Sequence, residues 1–149
     1  SSDLRFFQKA GKNLSKEAFT HVYDTFRGVT LYVQRLMKDA YIETPSGATC
    51  DVDTVSQLID DYIHENDSHL REQLSFITEA QKELLYAIHS EGQVQSITST
   101  AFNKKHRLRS PSSTQSAALK LLEYDLITRT EKTYSISDPL MSLWLERKK

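Results

Sequence analysis

Residues 110–127 read Ser110-Pro111-Ser112-Ser113-Thr114-Gln115-Ser116-Ala117-Ala118-Leu119-Lys120-Leu121-Leu122-Glu123-Tyr124-Asp125-Leu126-Ile127. Ser110 followed by Pro111 is a helix start. The hydroxyl can accept from an orphan backbone N–H, and proline at the first helical position loses nothing by lacking its own. On a helical wheel Thr114, Ala117, Ala118, Leu121 and Leu122 share one side, while Ser112, Ser116, Leu119, Lys120 and Glu123 lie roughly opposite. That division predicts an amphipathic helix. Ala117 and Ala118 are small enough for a close approach to a neighbouring helix. Asp125 stands where the chain must turn into a strand, and aspartate tolerates the left-handed conformation such a turn uses. Leu126–Thr130 and Thr133–Ile136 are rich in β-formers and flank Glu131-Lys132, a two-residue hairpin loop without the favoured Asn-Gly chemistry.

Upstream, Thr78-Glu79-Ala80-Gln81 has the spacing of a capping box, and Leu84, Leu85 and Ile88 give the helix behind it a buried face. Glu91-Gly92 closes that helix, and Val94–Ile97 is expected as a short strand. Ser99 can cap a further helix carrying Phe102, which runs into the basic stretch Lys104-Lys105-His106-Arg107-Leu108-Arg109. Downstream, Asp138-Pro139 starts a last helix. Its Leu140, Met141, Leu143, Trp144 and Leu145 make it strongly apolar, so it is expected to pack on the first block or on a partner.

The first part of the chain reads as helices. One carries Phe6 and Phe7 and stops near Gly11. A second starts at Ser15, shows Phe19, Val22, Tyr23 and Phe26 at helical spacing, and ends at Gly28. A third carries Leu31, Tyr32, Leu36 and Met37. Thr44–Thr49 is a loop by its turn residues. Asp53 to Ser75 follows as a long helical stripe that Asn66-Asp67-Ser68 can interrupt. The expected domain boundary is near Ile77, with a helical unit over 1–77 and a second domain over 78–149.

With 149 residues, 26% charged and 38% hydrophobic, the chain has the balance of a soluble globular protein. Its net charge of −1 is uneven: residues 1–78 carry −4 and residues 79–149 carry +3. A basic second half suits a polyanionic partner and equally suits an ordinary solvated surface. Cys50 is the single cysteine, so no internal disulfide can form, which points to a reducing, cytoplasmic compartment. No apolar run approaches the roughly 20 residues of a membrane span, and no membrane partner is expected.

The order helix, short strand, helix, helix, hairpin is that of a winged helix-turn-helix. The fold class expected is mainly α with a small β-hairpin, a helical lid-like bundle followed by the winged helix. The words themselves are narrower. Ser110–Gln115, Leu119–Glu123, Leu126-Ile127, Tyr134–Pro139 and Leu143-Trp144-Leu145 resemble the C-terminal winged helix of archaeal and Bacteroidetes-type P-loop ATPases of the AAA+ (STAND-like) kind. Phe6-Phe7 and Tyr23–Gln34 resemble the helical lid that follows the nucleotide-binding core in that family. One departure is Thr30, where the family usually has a proline two residues after the lid glycine. The resemblance implies a C-terminal, non-catalytic piece of an ATPase whose core would bind ATP and magnesium. The chain itself is expected to hold no cofactor and to be no enzyme. No G-x-x-x-x-G-K-[ST] occurs: in the lone Gly11-Lys12 pair Asn13 follows, and Phe6 takes the first glycine's place.

Other chemistry finds little purchase. The five histidines are scattered, and with Cys50 they match no zinc spacing, so no metal site is expected. The serines of 110–116 lack a G-x-S-x-G context, and Asp60-Asp61 is explained by solvation. For nucleic acid, a winged helix sends its third helix into the major groove with the wing on the backbone. The candidate base readers are Ser112, Ser113, Gln115 and Ser116. Gln115 has the amide that can pair bidentately with adenine. Arg107, Arg109, Lys120, Arg129 and Lys132 are the candidate phosphate contacts. Three functions stay open: double-stranded DNA binding; docking to the absent ATPase core, to a protein partner or to a second copy through the Trp144 helix; and a free-standing transcription regulator.

Overall fold

A computed structural model describes residues 2–148 of the chain. They form two compact units, residues 1–65 and 66–149. The division lies before the position near Ile77 expected from the sequence, because Asn66 interrupts the long helical stripe. Leu70 and Leu74 beyond it are buried with the second unit.

The first unit runs α1 (Ser2–Lys9), β1 (Asn13–Leu14), α2 (Lys16–Thr25), α3 (Thr30–Glu43), β2 (Thr49–Cys50) and α4 (Val52–Glu65). Ser15 caps α2 by accepting from the Ala18 N–H at 3.0 Å. The stripe buried by α2 is Ala18, Val22 and Phe26; Tyr23, expected on that face, is exposed. Its ring lies over Gly28, whose φ of 69° suits glycine, and a Cβ there would meet the Tyr23 hydroxyl at 2.8 Å. On α3, Leu36 and Met37 are buried as expected, Leu31 is not, and Val33 and Ala40 complete the face. α4 buries Val55, Ile59 and Ile63. No pattern in the sequence marks β1 and β2, two-residue strands paired in parallel, Asn13 opposite Thr49 and Leu14 opposite Cys50. Strands this short lie below the length at which alternation becomes visible. The Cys50 thiol is buried, which pushes its pKa up.

The second unit runs α5 (Asp67–Ser75), α6 (Glu79–Glu91), α7 (Thr100–Lys105), α8 (Pro111–Glu123), β3 (Ile127–Thr130), β4 (Thr133–Ile136) and α9 (Pro139–Arg147). The capping box at Thr78 and Gln81 forms in both directions, at 3.2 and 3.0 Å. Ser99 caps α7, Ser110 caps α8 and Asp138 caps α9. α8 packs its small face, Ala117 and Ala118, against α6, as the sequence predicts. Fully burying side chains such as Leu121 and Ile127 contributes about 1.5–3 kcal/mol each.

β3 and β4 pair antiparallel from Ile127–Ile136 to Thr130–Thr133. The connecting Glu131 and Lys132 have φ of 52° and 77°, and Asp125 turns the chain out of α8 at φ 56°. The strand expected over Val94–Ile97 contracts to a single bridge, Val94 with Tyr134, through bonds of 2.9 and 2.8 Å. The residues after it are taken up by the turn that leads to the Ser99 cap.

The last helix packs in part as expected, since α5 lies within the residues up to Ile77 that the sequence assigns to the first block. α9 lies against α5, α6 and β4 of its own unit, and Trp144 is only 5% exposed. The Trp144 indole donates to Asp67 Oδ1 at 2.8 Å, which ties α9 to the start of α5. No helix among the described residues is long and apolar enough to cross a membrane.

Candidate nucleic-acid interface

The geometry of the helix-turn-helix rests on one buried polar link. Asn103 on α7 and Thr114 on α8 are 5% and 4% exposed. The Asn103 side-chain amide donates to the carbonyls of Ile97 and Ser99, both at 2.8 Å, and its oxygen accepts from the Thr114 hydroxyl. Both amide hydrogens and the carbonyl are therefore used, as a buried amide requires. The link fixes how α8 leaves the turn after α7. Sequence reading placed Thr114 on the buried side of the helix but missed Asn103. Its signal was an amide four residues after the Ser99 cap and beside the apolar Phe102.

From that anchor α8 presents its other side to solvent. Ser112, Gln115 and Ser116 are exposed together over its first turns, where the helix dipole and the unbonded N–H groups favour negative charge. Ser113 is half-buried, and with Arg109 it borders a small cleft of about 150 Å³ shared with Glu79 and Glu83 of α6. Ser113 is thereby separated from the other three candidate readers.

The cations fall into three states. Arg107, at φ 54° in the turn after α7, and Arg109 are exposed and make no ion pair among the described residues. Lys120 is paired with Glu123 at 3.0 Å, and that carboxylate raises its pKa. On the wing, the Arg129 guanidinium lies 5.6 Å from the centre of the Tyr134 ring, which stiffens its stem, and Lys132 sits exposed at the hairpin tip. In the upstream basic run, Lys105 and His106 both close on Glu91, at 2.6 and 2.9 Å, and hold its carboxyl below the usual range. The face therefore brings together Ser112, Gln115 and Ser116. Arg107, Arg109, Arg129 and Lys132 are unpaired cations of the same unit, and Lys120 is partly neutralised. Between Gln115 and Lys120 sits Leu119, 60% exposed, an apolar side chain on an otherwise polar surface.

Lys12 Nζ donates to the Tyr41 carbonyl at 2.8 Å and lies 4.1 Å from the centre of the Tyr41 ring. The lone Gly-Lys pair is thus engaged within its own unit, and the residues present do not fit a phosphate-binding loop. No three of the His, Cys, Asp and Glu side chains among the described residues come together as a metal site would require.

Residues 68–147 match a family described as a probable winged helix domain. No curated protein and no solved structure matches the chain. The matched span opens inside α5 and closes at the end of α9, so it takes in the whole hairpin and the helix-turn-helix. Since that span is more than half of its 149 residues, the chain belongs to this winged helix family.

Proposed function

We propose that residues 66–149 dock on double-stranded DNA, α8 in the major groove and the β3–β4 wing along the backbone. In this reading they are the DNA-reading end of a longer ATP-dependent regulator of the AAA+ kind. The observation that carries the proposal is the start of α8: Ser112, Gln115 and Ser116 exposed together, with unpaired Arg107 and Arg109 in the turn before them. The regulator half is supported by the lid-like words of the first block, Phe6-Phe7 and Tyr23–Gln34. The ATP-binding core belongs to other residues of such a regulator, since these do not fit a phosphate loop.

Fluorescence anisotropy on a labelled duplex pool tests the DNA half. Binding at about 50 mM salt should weaken as salt rises. If Arg107, Arg109, Arg129 and Lys132 each neutralise a phosphate, the log–log slope is about −3 to −4. The triple variant Arg107→Ala/Arg109→Ala/Arg129→Ala should flatten that slope by about 3. Equal binding by wild type and variant, or none by either, overturns the proposal.

A second reading rests on Leu119. Its exposure beside the neutralised Lys120–Glu123 pair suits a protein surface, either the absent ATPase core or a separate partner. Salt-insensitive association with a protein partner, lost in Leu119→Asp, together with no DNA binding, would favour it.

A further inference from the structure

A groove of about 570 Å³ lies in the second unit, away from the α8 face. It runs between α5, α6 and α9. Leu74, Tyr86, Trp144 and Leu145 provide its apolar lining, and Tyr86 remains 46% exposed. Arg71, Lys82 and Lys148 also line it, while no carboxylate does. Such a volume falls within the range of small-molecule sites, roughly 300–1,000 Å³.

The cations are positioned by their neighbours. Arg71 and Lys148 share one carboxylate, Asp67, at 2.9 and 3.0 Å. Both lie near the Trp144 ring, at 5.8 and 5.3 Å from its centre. One negative charge outside the lining thus holds two positive heads beside the apolar wall, leaving an excess of one. Lys82 has a partner in Glu79 at 3.3 Å, but that glutamate is 85% exposed. A pair so open to water is worth little, and Lys82 can exchange it for a ligand. His89, also in the lining, is tied to Glu146 at 3.0 Å.

From this lining we infer that the groove binds a small amphipathic acid, its apolar body against Leu74, Tyr86 and Trp144 and its carboxylate towards Lys82, Arg71 and Lys148. The assignment follows from charge complementarity: an uncharged oily molecule would leave the basic rim unused, and a bare anion would leave the apolar wall wet. It does not depend on DNA binding.

Trp144 is the only tryptophan of the chain and lines the groove, so its emission reports occupancy. Octanoate serves as the probe, octanol as the same body without charge, and acetate as the charge without the body. Calorimetry follows the same titrations. Octanoate should bind saturably, octanol about tenfold more weakly, and acetate not at all. Lys82→Glu should weaken octanoate about fivefold and leave octanol unchanged. Lys16→Glu, the same charge change in the first unit, should do neither. Tyr86→Glu, at a half-exposed position, should abolish binding of both while far-UV dichroism stays native. The inference is overturned if octanoate produces neither an emission change nor heat. It is equally overturned if octanol matches octanoate and Lys82→Glu changes nothing, since the groove then selects only for oil.

Discussion

Replacing Thr114 by valine removes one hydroxyl and almost no volume, so it isolates the polar link between α7 and α8. In the native unit the Asn103 side-chain oxygen has Thr114 as its partner, and both residues are buried. Thr114→Val leaves that oxygen dry and unpaired. A buried acceptor in that state costs about 1–3 kcal/mol, because its hydration was given up on folding and nothing replaces it. Taking about 2 kcal/mol, and about 4–8 °C per kcal/mol for a unit of this size, Tm should fall by roughly 10 °C. Urea unfolding followed by Trp144 emission measures this, with the m-value unchanged because the native surface is unchanged. A cycle with Asn103→Leu adds a sharper criterion. Asn103→Leu already removes the partner that Thr114→Val orphans, so the two losses should fall short of adding by at least about 1 kcal/mol. If Thr114→Val costs under about 0.5 kcal/mol, or the two losses add, the link is not what holds α8 in place.

Two further outcomes follow from the second unit. Glu131 and Lys132 occupy left-handed conformations that disfavour both residues, so Glu131→Asn/Lys132→Gly should raise stability by about 1–2 kcal/mol with the hairpin intact, and a fall in Tm would show that the loop geometry is not what limits it. The Asp67 carboxyl is held well below the usual range, first by the Trp144 indole N–H and then by Arg71 and Lys148. Its contribution is therefore fully present above the ordinary carboxylate pKa of about 3.9 and fades as pH falls through the lower folded value. Asp67→Asn should lower Tm at pH 7 and lose that deficit in strong acid; a deficit unchanged down to pH 1 would contradict the assignment.

The second unit was the more legible half because its helix ends are written in short-range chemistry. Thr78, Ser99, Ser110 and Asp138 each bond a backbone N–H within three residues, so position in the sequence is position in the fold. The β-rich runs on either side of Glu131-Lys132 likewise pair as the expected hairpin. What escaped was settled between distant residues. Trp144 meets Asp67 across 77 positions, and Tyr134 reduces the Val94 strand to one bridge; neither partner is marked by spacing. In the first unit, Tyr23 and Leu31 fit an apolar stripe by period yet face solvent, because Ala18, Val33 and Ala40 fill the core with smaller side chains. At the candidate interface, residue types identified the exposed serines and Gln115. Whether a lysine was free depended on a neighbour one turn away, and Glu123 takes that freedom from Lys120.

Cys50 has a use beyond the strand it sits on. It is the chain's only thiol, 1% exposed, on the short parallel pairing of the first unit. Alkylating reagents reach it only when that pairing opens, so the rate of labelling clocks the opening of residues 1–65 without any engineered reporter. The tryptophan belongs to the other unit, and one sample therefore yields a separate reading from each unit, one chemical and one optical.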